Sequence, residues 1–124
     1  MATAEPRGAL GGIRVIDLTQ VLAGPFCTQI LADHGAEVIK VEPIKGDETR
    51  RLGPYRDDDE LREISGYYQS VNRNKKSIAL DLKTTEGREV LLKLIDRADV
   101  LVENYRGGVM DRLDLSYETL SARN

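Results

Sequence analysis

Four short runs of β-branched and apolar residues punctuate the chain: Ile13-Arg14-Val15-Ile16-Asp17-Leu18, Glu37-Val38-Ile39-Lys40-Val41, Ser77-Ile78-Ala79-Leu80 and Asp99-Val100-Leu101-Val102. Their length and composition predict buried strands. Between the first two lies Ala23-Gly24-Pro25, a turn leading into a helix over Phe26–His34. There Cys27, Ile30 and Leu31, with Phe26 beside Ile30, fall at helical spacing and are expected to face inward. Pro25 suits the first helical position and Gly35 the C′ position. Strand, glycine turn, helix, glycine and strand within about 30 residues is a βαβ unit, which makes parallel sheets.

The period is lost from Glu42 to Gly66, a stretch dense in charge that holds Pro43, Gly46, Gly53, Pro54 and Asp57-Asp58-Asp59-Glu60. It reads as a long solvated loop. Order resumes over Tyr67–Val71, as a short helix or a strand. Thr84 caps a helix with Glu86 in its first turn and Leu91, Leu94, Ile95 and Ala98 on one face. Ser116 is expected to cap a last short helix. The predicted class is α/β, a parallel sheet with flanking helices. In such sheets ligands sit beyond the carboxyl ends of strands, so the loops after Leu18, Leu80 and Val102 are the candidate site.

Composition narrows the classes. Hydrophobic residues make up 40% of the 124 and charged residues 31%, a globular balance, and Trp is absent, so Val, Leu, Ile and Ala must build the core. The net charge of −3 argues against a general nucleic-acid binder. No apolar run approaches the roughly 20 residues of a membrane span, and residues 1–10 read as a frayed leader without a secretory h-region. A single cysteine, Cys27, and a single histidine, His34, rule out a disulfide framework and an ordinary Cys/His zinc site. Cys27 reads as core and His34 as a helix-end residue. The expected compartment is the cytoplasm.

Each of the three loops carries residues that could do chemistry, and each also has a plain reading. Thr19-Gln20-Val21-Leu22-Ala23-Gly24-Pro25 opens a helix, whose N-terminus attracts anions; alone it is as well explained as an ordinary βα turn. Asn72-Arg73-Asn74-Lys75-Lys76-Ser77 and, past the strand, Lys83 could hold a phosphorylated ligand, or the run could simply be solvated. Glu103-Asn104-Tyr105-Arg106-Gly107-Gly108, with Arg112 beyond, offers a flat ring for an adenine and guanidinium groups for phosphates, unless Tyr105 is core.

Taken together, four colinear stretches resemble the class III CoA-transferases. They are Val15 to Phe26, Leu31 to Glu42 followed by Gly46-Asp47, Asn72 to Lys83, and Ala98 to Tyr105. The resemblance spans residues 11–124. That family includes formyl-CoA, carnitine and succinyl-type CoA transferases, together with the related α-methylacyl-CoA racemases. The resemblance implies a Rossmann-like CoA-binding domain, of which 11–124 would be the N-terminal part, in an interlocked homodimer. Carried over by position, Leu22 and Ala23 would line the CoA site, and Leu80, Asp81, Leu82 and Lys83 would run past the nucleotide. Asn104, Tyr105, Arg106 and Arg112 would complete the pocket, and Arg73 and Lys75 would add positive potential at the phosphates. Polar contacts that other family members make from the Leu22 and Pro43 positions are not expected here. CoA and acyl-CoA would be substrates, with no tightly bound cofactor, no metal and a carboxylic acid as acceptor. The transferases' nucleophilic aspartate would lie beyond Asn124. An α-methylacyl-CoA racemase-like isomerase and a non-catalytic CoA-binding module are the alternatives, since the residues present occur in both enzyme classes.

Overall fold

The computed structural model describes residues 8–124; of the leader expected over 1–10, residues 1–7 lie outside the described residues. Four strands, β1 (Arg14–Asp17), β2 (Glu37–Glu42), β3 (Lys75–Ala79) and β4 (Val100–Val102), form one sheet in the order β3-β2-β1-β4. Every pairing is parallel, with Asp17 opposite Lys40 and Lys40 opposite Ser77. The order reverses at β1, which is where open α/β sheets place their ligands.

Alternation along the strands gives the sheet two unlike faces. Ile16, Leu18, Ile39, Val41, Ile78, Leu80 and Leu101 point one way. They pack with Leu91 and Ile95 of α3 (Thr85–Ile95), with Met110 of α4 (Val109–Arg112) and with Leu115 and Leu120, the latter on α5 (Tyr117–Ser121). The other face is apolar only at its base, around Val15, Val38, Ala32 and Ala36. Higher up it carries Asp17, Lys40 and Glu42, which the ammonium of Lys75 joins from the start of β3, and it is covered by α1 (Ala23–Asp33) and α2 (Gly66–Asn72).

This polar face overturns the expected orientation of Phe26, Cys27 and Ile30 on α1, while Leu31 does pack at the apolar base. The helix's buried residues are Gly24, Pro25, Thr28, Gln29 and Ala32, whereas Cys27 is exposed and Phe26 and Ile30 are 52% and 42% exposed. Helical spacing was legible, but the inward stripe is the small and polar one, because Thr28 must donate to Asp17 at 2.6 Å. Gly24 lies so close to Thr19 that any Cβ would collide with it. The helix starts at Ala23, so Pro25 occupies its third position, still within the turn that lacks intrahelical donors.

One further expectation changes, and one open alternative closes. The stretch after β2 is not merely solvated: Asp47 caps a 3-10 turn over Glu48–Arg51, and Asp47, Thr49 and Ser65 are buried. Tyr67–Val71 is helical, within α2, with Ser65 as its N-cap. Thr84 and Ser116 cap α3 and α5 through the amides of Gly87 and Thr119, as expected. His34 lies at the end of α1, where its carbonyl accepts from Leu10 N at 2.9 Å.

Because Leu91 is fully buried and Cys27 exposed, their substitutions should diverge. Leu91→Ala should cost about 2–5 kcal/mol and Cys27→Ser within about 0.5 kcal/mol, read as urea midpoints.

Candidate functional site

The carboxyl ends of the strands open on a cleft of about 540 Å³. It is lined by Gln20 after β1, Val41 to Lys45 at the end of β2, Leu80 to Lys83 after β3, and Tyr105, Val109 and Leu113 after β4. Its floor is mostly apolar: Leu80, Leu82, Tyr105 and Leu113 also pack against the main core. Lys45 and Lys83 stand exposed at the rim. Burial, then the nearby Glu103 and Asp17 carboxylates, pushes the Tyr105 hydroxyl pKa up, so the phenol stays neutral. A flat half-buried ring, aliphatic walls and cationic edges suit a purine joined to phosphates.

Local sequence explains the shape of the walls. Gly87, in the first turn of α3, lies against the Asp81 carbonyl where a Cβ would collide, so α3 rises directly behind the β3–α3 loop. Asp81 Oδ1 accepts from Lys83 N at 3.0 Å, and Thr84 Oγ1 donates to the Asp81 carbonyl at 2.8 Å. Asn104 joins the loops after β1 and β4: its Oδ1 accepts from Gln20 N at 2.8 Å and its Nδ2 donates to Gln20 O at 2.9 Å.

The expected residues separate accordingly. Leu80, Asp81, Leu82, Lys83 and Tyr105 meet in the cleft, and Asn104 fixes its neighbour Gln20. Leu22 and Ala23 are exposed on the turn that follows Gln20, and Arg106 and Arg112 are exposed on the segment that follows Tyr105, Arg112 folding over Gly108. None of these four lines the cleft among the described residues.

Arg73 and Lys75 must be corrected. They lie at the amino edge of β3, the opposite end from Leu80–Lys83. Arg73 donates to Asp33 at 2.8 Å, together with Asn74. Lys75 turns into the protein, its side chain 2% exposed, and its ammonium donates to Asp17 Oδ2 at 3.0 Å, Pro25 O at 2.9 Å and Asn72 Oδ1 at 2.9 Å. All three protons are spent, so none is left for a phosphate. Burial lowers the Lys75 pKa, and the Asp17 carboxylate opposes that shift. The neighbouring Lys76 pairs with Glu37 at the surface.

Sequence reasoning missed Lys45, Ile44, Val109 and Leu113. The rule that strand-end loops carry ligands pointed to the loop after β2 as well, but its density of charge and turn residues hid it. Beneath that loop Glu42 accepts from Arg50 Nε and Nη2 at 2.7 Å, Tyr68 OH and Ser77 Oγ at 2.6 Å, and Asp47 N at 2.8 Å. Arg50 also stacks on the Tyr68 ring, 3.9 Å from its centroid. Burial alone would raise the Glu42 pKa, but these donors outweigh it and hold the carboxyl down at about 2.

Comparisons with known proteins cover nearly the whole chain. The model of CoA-transferase family III matches residues 10–124. The chain belongs to CoA-transferase family III. Among its relatives in that family, the succinyl-CoA:mesaconate CoA-transferase of Haloarcula hispanica is 54% identical over 94% of this chain and 30% of its own length. The acetyl-CoA:oxalate CoA-transferase of Acetobacter aceti is 51% identical over 98% of this chain and 30% of its own. A crystal structure of a CAIB/BAIF family protein from Brucella suis superposes with a TM-score of 0.88 at 44% identity, covering 94% of this chain and 31% of that one. This family III chain thus spans a little under a third of the length of the curated relatives it matches.

Two outcomes follow from the buried charges. Lys75→Met strands Asp17 and should cost about 3–5 kcal/mol, whereas Lys76→Met should cost less than about 1 kcal/mol, compared by thermal melting. The folded Glu42 pKa lies below its ordinary 4.5, so its stabilisation is complete above that pH and is lost as pH falls towards 2. The stability advantage of the wild type over Glu42→Gln, from urea unfolding, should therefore shrink between pH 6 and pH 3.

Proposed function

We propose that this chain forms the CoA-binding N-terminal part of an acyl-CoA:carboxylate CoA-transferase, over residues 11–124, and that the carboxyl-edge cleft receives the adenosine-phosphate half of CoA. The observation that carries the proposal is the convergence of Leu80–Lys83 and Tyr105 on one apolar slot with Lys45 and Lys83 at its mouth. The adenine would lie among Leu80, Leu82 and Tyr105, and the phosphates would meet Lys83 and Lys45. Arg106 and Arg112, exposed at the surface beside the slot, would close over the same anions. Leu22 and Ala23 would border the pantetheine arm where it leaves past Gln20.

The reaction assigned to the whole protein is CoA transfer from an acyl-CoA to a carboxylic acid. An aspartate carboxylate attacks the thioester carbonyl and expels CoA as thiolate, leaving a mixed anhydride. The thiolate then attacks the aspartyl carbonyl, giving an aspartyl-CoA thioester and releasing the first acid. The acceptor carboxylate reverses the sequence and leaves with CoA. Covalent catalysis of this kind splits one hard exchange into easier steps. That aspartate would come from outside these residues, whose own buried carboxylates, Asp17, Asp47 and Glu42, are committed to internal cations and donors. The whole protein would act in the cytoplasm as an interlocked homodimer, and the exposed Val21, Leu22, Phe26 and Ile30 are apolar surface for such a partner to cover. The relatives named for mesaconate and oxalate support a dicarboxylic acceptor.

Calorimetry tests the reading on this chain. CoA should bind and NAD should fail to compete, since no dinucleotide glycine fingerprint follows β1. Lys83→Ala should weaken CoA about tenfold or more, the worth of one charged contact, while Arg73→Ala should leave it within twofold. Equal or tighter binding of NAD, or the reverse ranking of the two variants, contradicts the assignment.

A further inference from the structure

The buried cations are not distributed as a core would distribute them. Lys40, in the middle of β2, is 1% exposed, and its ammonium donates to the Thr19 carbonyl at 2.8 Å and pairs with Asp47 Oδ2 at 3.0 Å. Asp47 is itself anchored: its Oδ1 accepts from Thr49 N at 2.9 Å and from Thr49 Oγ1 at 2.6 Å, and its own N–H donates to Glu42. The one backbone group that Lys40 reaches thus belongs to the turn between β1 and α1.

That turn is strained. Val21 adopts φ +70°, a left-handed conformation that a β-branched residue avoids and that persists only where its surroundings dictate it. The surroundings grip the two residues that lead into it. Asp17 accepts from the amide and hydroxyl of Thr19, Lys40 holds the Thr19 carbonyl, and Asn104 holds the amide and carbonyl of Gln20. Val21 and Leu22 then project into solvent, each about half exposed.

We propose that Lys40, clamped by Asp47, is a positioning residue: it fixes the Thr19 carbonyl and so holds Gln20, Val21 and Leu22 in their strained shape beside the cleft. The inference rests on the assignment of that cleft to CoA. Lys40 touches no substrate. It acts through the turn, and it couples that turn to the 3-10 segment after β2, which brings Lys45 to the rim. An apolar residue at position 40 would leave Thr19 O without its donor and release the restraint on Val21.

The test uses the whole chain with Lys40→Met and Asp47→Asn combined, so that no buried charge is stranded, against Leu120→Ala as a destabilised control on α5, beside Ile95 and Ala98 and away from the turn and the cleft. Two quantities are read: amide hydrogen exchange at Gln20, and the dissociation constant for free CoA. The expected result is exchange at Gln20 at least tenfold faster and CoA binding at least tenfold weaker in the double variant, with both within twofold of wild type in Leu120→Ala. If the double change does not fold, Asp47→Asn alone carries the test, with at least threefold changes expected. Unchanged Gln20 exchange in a folded variant overturns the proposal, as does an equal change in Leu120→Ala. If wild type binds no CoA, the reading of the cleft fails, and the Gln20 exchange alone decides for or against the clamp.

Discussion

Everything on one side of the sheet is arranged around the Asp17 carboxylate. It ends the central strand, is fully buried, and accepts from Thr19, Thr28 and Lys75. A buried carboxylate is tolerated only when paired and fully hydrogen-bonded, and that requirement propagates outward. It draws Lys75 inward from the start of β3, sets a hydroxyl at position 28 of α1, and demands a glycine at position 24 so that the helix can approach Thr19. Lys40 and Asp47 repeat the arrangement one strand away. Two pairs of opposite charge therefore occupy a layer that aliphatic side chains would ordinarily fill.

The arrangement separates stability from function across the sheet. The face under α3 and α5 is an aliphatic core and supplies the hydrophobic stabilisation. The opposite face contributes geometry: its ion pairs are directional, whereas apolar contacts are not. Through them the β1–α1 turn and the loop after β2 are held at the carboxyl edge, where the cleft opens. The cost is visible on α1, which turns Phe26, Cys27 and Ile30 to the surface because its inner stripe is committed to Asp17.

Much of the fold could be read from the sequence because its signals are local. The four strands carry β-branched runs, Thr84 and Ser116 are ordinary caps, and Gly35 ends α1. The βαβ spacing implied a parallel sheet, and the strand-end rule led to Leu80–Lys83 and Tyr105. What could not be read depends on long-range pairing of charge. Lys75 looks identical in sequence whether it points to solvent or to an aspartate 58 positions away, so neither reading of the basic run, a phosphate site or a solvated loop, foresaw its place in the fold. The inward face of α1 was misassigned for the same reason, since hydrophobic periodicity assumes an apolar interior. Asp47 and Ser65 sit in a stretch rich in turn residues, and only the structure shows that their side chains are buried.

The central claim is that ligand recognition belongs to the carboxyl edge and that the basic run before β3 serves the fold. Amide chemical-shift mapping of the isotopically labelled chain during titration with CoA addresses it directly. The account predicts that perturbations concentrate at Gln20, Lys45, Leu80–Lys83 and Asn104–Arg106, with Arg73–Lys76 silent. Perturbations centred on Arg73–Lys76, with the carboxyl-edge loops unmoved, would contradict it.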